Sequence, residues 1–190
     1  SCVASPHRHA PIRVVQRGRR LVVDIHCHLN IPAADALVRA QATDLPDPFK
    51  FTSAATRAAN ANAFAAILPK LNGVEERIRD MDALGVDVQA ISPSPGQYYY
   101  FAVPELGRDA ARLVNDGIAQ AVGSHPTRLV GMGTVPLQNV EMAIAEMRRC
   151  ADDLGLRGIE IGTHVDGREL AEPGFRPFFA AAEELGMLLF

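Results

Sequence analysis

The chain has 190 residues, 48% of them apolar and 22% charged, with a formal net charge of −3. That length supports one substantial core. No apolar run reaches the roughly 18 residues of a membrane span, and the slightly acidic balance gives no reason to expect nucleic acid. Cysteine is sparse and odd in number (Cys2, Cys27, Cys150), which argues against a disulfide framework and for a reducing, cytoplasmic setting.

Residues 1–20 hold Arg8, Arg13, Arg17, Arg19 and Arg20 with Pro6 and Pro11 and no acidic residue. They read as a flexible leader or one strand of a leading hairpin, with an organelle transit peptide as the sharper alternative. His7 and His9 in this stretch read as solvent-exposed. The chain starts without an initiator Met and stops inside an apolar run, Met187-Leu188-Leu189-Phe190, so truncation at both ends is expected.

From residue 21 onward, strand-like and helix-like runs alternate. A first strand is expected over 21–28. Residues 29–72 read as irregular, with a short helix at Thr56–Leu68. A helix follows at Val74–Leu84, where Ile78, Met81 and Leu84 recur at three-residue steps and Gly85 supplies the stop. The second strand is Val86–Ser92, ended by Pro93 and Pro95. After Tyr98-Tyr99-Tyr100-Phe101, a helix runs Pro104–Val122, with Pro104 suited to the first helical position. The third strand is Leu129–Val135. Asn139 can cap a helix at Val140–Leu154, which stops at Gly155. The fourth strand is Arg157–His164. A loop over Asp166–Pro173 leads to a helix at Phe175–Leu185, stopped by Gly186, and a fifth strand begins at Met187. The recurring Leu-Gly joints at Gly85, Gly155 and Gly186 mark helix ends that feed strands.

This alternation predicts an α/β protein with a parallel sheet covered by helices. Five strands are about the first half (strands 1–5) of a (β/α)8 TIM-barrel type fold. Residues 21–190 would then form the N-terminal part of a barrel. An open doubly wound sheet is the alternative, weakened because no Gly-x-Gly-x-x-Gly follows the first strand.

The chemistry concentrates at strand ends. In Asp24-Ile25-His26-Cys27-His28, alternation puts both imidazoles on one face with Asp24, about 7 Å apart along the strand. Neutral imidazoles so placed can share a divalent metal, and strand C-terminal ends are where barrels carry catalysis. Two ordinary histidines bonded to backbone or water are the bland alternative. Asp24 could hold a loop amide or orient a histidine. Cys27, on the opposite face, reads as a small core residue beneath a helix.

On the fourth strand, Glu160, Gly162 and His164 share a face that should look into the barrel. His164 could bind a substrate carboxylate or help the metal shell, and Glu160 needs a partner if buried. Tyr100 and its aromatic neighbours could wall a substrate pocket or simply pack loops together. Ser92 and Ser94 show no visible base, so a serine hydrolase is discounted. His125 belongs on the opposite, stability face.

Three segments together carry a resemblance: Val23-Asp24-Ile25-His26-Cys27-His28, Arg128 through Leu137, and Gly158 through Val165. They resemble the amidohydrolase-2 family, most of all its aminocarboxymuconate-semialdehyde decarboxylase-like members, from about Leu21 to Phe190. The resemblance implies a (β/α)8 barrel holding Zn2+ or another divalent metal, with His26 and His28 as the first two ligands. The third ligand, a late aspartate and a further catalytic histidine would lie past Phe190, so no catalytic residue is assigned within 1–190. Arg57 is the nearest candidate for the family's substrate-binding arginine. The implied activity is non-oxidative decarboxylation of a small unsaturated or aromatic carboxylic acid, with a homodimer suggested; His164 and Tyr100, by their place at the strand-end rim, are the expected substrate-binding residues. A metal-dependent hydrolase of the same fold is the rival. A chain inactive by itself, lacking the remaining ligands, is the third reading.

Overall fold

A computed structural model describes residues 20–47 and 50–190. The expectations for the arginine-rich stretch, including His7 and His9, lie outside the described residues except at Arg20.

Strand β1 (Val23–His28) leads through helices α1 (Pro32–Gln41), α2 (Ala54–Asn72) and α3 (Val74–Leu84) to β2 (Val88–Ser92). Helix α4 (Pro104–Ser124), β3 (Leu129–Gly133), α5 (Val140–Asp152) and β4 (Gly158–Ile159) follow. Two short strands, β5 (His164–Val165) and β6 (Arg168–Glu169), precede α6 (Arg176–Leu185) and β7 (Leu188–Leu189). The main sheet runs β1-β2-β3-β4-β7, every pair parallel. Each strand sits beside the next one made, with no reversal of order. A doubly wound sheet needs such a reversal at its switch point, so this is the strand order of half a β/α barrel.

The expected helix Val74–Leu84 forms with those bounds, and Gly85 closes it at φ 72°, a left-handed conformation that glycine adopts without the strain of a Cβ. Helix α4 shows why the sheet is covered. Leu106, Ala110, Val114, Ile118 and Ala121 fall on one stripe and are buried, while Glu105, Asp109, Arg112 and Asp116 on other faces are charged. That stripe packs on β3 and α1. The interior is continued by Ile159, Phe175 and Phe178, all fully buried.

Three expectations need correction. Residues 29–72 are not irregular: α1 and a longer α2 occupy most of them. Pro32 opens α1, and Ala34 and Val38, four apart, are buried, a period the run Pro32-Ala33-Ala34-Asp35-Ala36-Leu37-Val38 already contained. The fourth strand is also shorter than expected. Only Gly158–Ile159 pairs in the parallel sheet, and His164–Val165 folds back antiparallel on Arg168–Glu169. The cause is local. Asp166 and Gly167 both take positive φ (48° and 79°), the Asp-Gly signature of a two-residue hairpin turn, so residues 166–169 are not a simple loop. Finally, the register of β1 against β2 shifts between Asp24 and Cys27, which interrupts strict alternation at the residues that matter most.

Candidate active site

His26 and His28 end β1 at the rim where the parallel strands have their C-termini. Their rings meet edge to face with centroids 5.1 Å apart, so the two imidazoles do converge despite the bulge. Glu160 directly follows β4; its backbone N–H still donates to the Gly133 carbonyl of β3, and its side chain is buried. Ligand-capable atoms of His26, His28 and Glu160 all lie within 4.8 Å of one another.

The environment of His28 fixes its ring. Nδ1 lies 3.1 Å from the Pro93 carbonyl oxygen and 3.2 Å from Ser92 Oγ. A proton on Nδ1 donated to Pro93 leaves Nε2 with a free lone pair, which is the tautomer a metal ligand needs. Ser92 is fully buried and its hydroxyl also donates to the Cys27 carbonyl, so it steadies the ring rather than meeting a substrate. Sequence reasoning missed this partnership because the two residues sit on different strands, brought side by side by the β1–β2 register.

Asp24 does not touch an imidazole. One carboxylate oxygen accepts from the His26 backbone N–H and the other from the Gln89 side-chain amide. Cys27 is half-buried against the core, and its thiol donates to the Ala90 carbonyl. Burial first, and Asp24 second, push that thiol up to about 12, which makes it an inert packing residue at neutral pH.

Glu160 is 5% exposed, and its Oε2 has no hydrogen-bond partner among the described residues. The nearest cationic candidate is His28, with Nδ1 at 3.8 Å. A buried carboxylate oxygen without a donor is costly. A divalent cation between Glu160 and the two histidines removes that cost, and a mixed imidazole and carboxylate set suits such ions. The residues present therefore fit a metal.

Beside this cluster lies a cavity of about 690 Å³, lined among others by Asp35, Arg39, Tyr98, Tyr99, Tyr100 and His164. Tyr98 and Tyr100 stack with centroids 5.6 Å apart, and the Gly162 N–H donates to the Tyr100 hydroxyl. Both phenols are raised, first by burial and further by the nearby Glu160, Tyr100 to about 12. The aromatic pair thus lines the cavity with the Glu160 carboxylate near enough to act on both phenols. Tyr99 is buried and donates to Asp35. His164 and Tyr100 thus share one cavity wall, whereas His26, His28 and Glu160 form a separate cluster. His164 is exposed in its hairpin, where its Nδ1 accepts from the Gly167 N–H. Arg57 is paired with Asp47 at 3.0 Å on the surface. His125 sits before β3, at the opposite end from the cluster, near Ser124 and Glu75.

A parallel β/α half-barrel with its polar side chains gathered at the strands' C-terminal ends defines the β/α-barrel fold class. Within that class, the chain belongs to the amidohydrolase family, whose model matches residues 23–190. It is 41% identical over 114 residues to a 2-amino-3-carboxymuconate-6-semialdehyde decarboxylase of Dictyostelium discoideum, covering 60% of this chain and 32% of that protein. It is 32% identical over 99 residues to a gamma-resorcylate decarboxylase of a Polaromonas species, covering 52% and 30%. Among solved structures it resembles a 5-carboxyvanillate decarboxylase of Novosphingobium aromaticivorans with a TM-score of 0.75 at 28% identity, covering 94% of this chain and 52% of that one. That enzyme was solved with bound manganese and 3-methoxy-4-hydroxy-5-nitrobenzoic acid. The chain spans about a third of the length of these curated relatives and about half of the solved chain.

Proposed function

We propose that the protein carrying this chain is a metal-dependent, non-oxidative decarboxylase of a small aromatic or unsaturated carboxylic acid. The observation that carries the reading is Glu160: a buried carboxylate with an unpartnered oxygen, beside two histidines, at the catalytic rim of a barrel. The decarboxylases among the relatives support the reaction class.

In this reading His26, His28 and Glu160 hold a divalent ion. When bound, it acts as a Lewis acid on substrate oxygen and lowers the pKa of bound water towards 7. Zinc, the ion the family resemblance implies, and manganese, the ion bound in the solved relative, both suit these donors. The chain's own residues do the positioning. Pro93 and Ser92 orient the His28 ring. Tyr98 and Tyr100 offer an aromatic wall for a planar ring. His164, which lines the cavity, would receive a substrate carboxylate in this reading. The overall step breaks the bond from ring or chain carbon to carboxylate, releases CO2 and transfers to that carbon one proton drawn from solvent water.

We also read the protein as cytoplasmic and as a homodimer. The sparse cysteines support the first, with Cys27 and Cys150 both free thiols, and the family resemblance supports the second. No helix among the described residues is long and apolar enough to cross a membrane.

The test is a CO2-release assay on the full-length protein with hydroxybenzoates and unsaturated dicarboxylates, alongside metal analysis. The expected result is CO2 release that stops on chelation and returns with Zn2+ or Mn2+. Metal-dependent ester or amide hydrolysis without CO2 would instead establish the hydrolase rival.

A further inference from the structure

A guanidinium lies behind the histidine pair. Arg77 comes from the first turns of α3, yet it is only 9% exposed. Its Nη2 donates to the backbone carbonyl of His28. Its Nη1 donates to Gln89 Oε1 at 3.0 Å. The other end of that amide, Gln89 Nε2, donates to Asp24 Oδ2 at 2.9 Å. Asp24 Oδ1 then accepts from the backbone N–H of His26 at 3.2 Å. One side chain thus reaches both histidines by separate branches, directly to His28 and through Gln89 and Asp24 to His26.

The placement is unusual for two reasons. The last of these bonds, from the His26 N–H to Asp24, falls where β1 departs from regular pairing, between Asp24 and Cys27, so the ladder to β2 does not by itself set the direction of His26. The cation is also buried close to a site suited to a divalent ion, where a like charge is unfavourable. Its two Nη groups end on a carbonyl, a neutral amide and, one step further, an anionic carboxylate, whereas its Nε is buried with no hydrogen-bond partner among the described residues. A planar, forked donor can serve two acceptors at once from one fixed position, which a lysine cannot reproduce.

We propose that Arg77, with Gln89 and Asp24 as its relay, is the positioning residue that sets the two histidines for metal capture. This rests on the reading of His26 and His28 as metal ligands. Arg77 touches no substrate and no metal. It acts through the backbone of the strand that carries the ligands.

The experiment compares the full-length wild-type protein with Arg77→Lys, Arg77→Met and Gln89→Met. Affinity for Zn2+ is measured by chelator competition, the ligand-field spectrum with Co2+ at saturation, and the melting temperature of the metal-free forms. The expected result is a roughly 10- to 100-fold weaker affinity in both Arg77 variants, the size seen when supporting residues of metal ligands are removed. Gln89→Met, which cuts only the His26 branch, should show a smaller loss. The Co2+ spectra should change although the site is filled, which a merely structural role would not produce. Should Arg77→Met fail to fold, Arg77→Lys and Gln89→Met still decide the matter. Wild-type affinity and spectrum in those variants, whatever their melting temperatures, would overturn the proposal alone. Failure of the wild-type protein itself to bind metal would overturn the ligand assignment beneath it.

Discussion

Glu160 is strained toward two opposite demands. Without an ion, its Oε2 is buried and unpartnered, and neutralising it should help the fold. With an ion, its charge is a ligand. Glu160→Gln should therefore raise the stability of the metal-free protein, by about 1 kcal/mol on the scale of an unsatisfied buried group. The same change should lower metal affinity at least about tenfold. Paired chelated and metal-loaded melts check both signs at once, and a variant less stable when metal-free would contradict the account. Cys150 offers a separate test remote from the cluster. It is fully buried, and burial first, then Glu146, holds its thiol above the ordinary value of 9.0. Because the folded value is raised, its contribution to stability is complete below pH 9. It fades as pH rises further, where the unfolded chain loses the proton first. Cys150 should resist alkylation at pH 8 in the native protein and react only after unfolding, as mass spectrometry of labelled peptides would show.

The elements owe their ends to side chains that meet backbone. Beyond β3, Asn115 on α4 donates to the Thr134 carbonyl at 2.9 Å and accepts from the Thr134 N–H at 2.8 Å. It also donates to Glu146, which Arg149 holds from the same helix. Asn115→Ala should destabilise the protein by about 2–3 kcal/mol, since it leaves buried backbone groups without partners. Denaturant melts with an unchanged m-value would confirm that the loss is local. None of this pairing was legible in the sequence, because it joins residues far apart in the chain. What was legible were the local signals. Three-residue steps and Gly85 marked α3, Pro104 opened α4, and Asn139 capped α5, accepting from the Met142 N–H. The Asp166-Gly167 turn was equally local but was overshadowed by a seemingly continuous alternation from Ile159 to Val165. The histidine pair was visible as a motif. Glu160 was recognisable only as a carboxylate in need of a partner, since nothing in a linear chain tells which strand end it will face.

At the scale of the molecule, the sheet is open on both sides among the described residues. Strand β1 pairs only with β2, and β7 only with β4. Val23, Ile25 and Leu188 are 46, 62 and 57% exposed. If the cluster binds metal only when folded, removing the ion must lower the melting temperature. At a free ion concentration of 100 times the dissociation constant, the stabilisation is about 2.7 kcal/mol. Differential scanning calorimetry of the full-length protein with and without chelator should show a drop of several degrees, reversed on adding the ion back. An unchanged melting temperature would mean that the cluster holds no metal.

The strand order has one more consequence. Because β2, β3 and β4 each lie beside the strand synthesised before them, β1, β2 and β3 can pair while later residues are still emerging from the ribosome. The histidines are thus in place early, whereas Glu160 arrives only when β4 docks. The three donors therefore span most of the chain, and an ion gripping them ties the first strand made to the fourth. Closing so long a loop lends the ion the character of a latch on the order of assembly. Metal supplied during synthesis, rather than afterwards, should then matter for how much native protein accumulates.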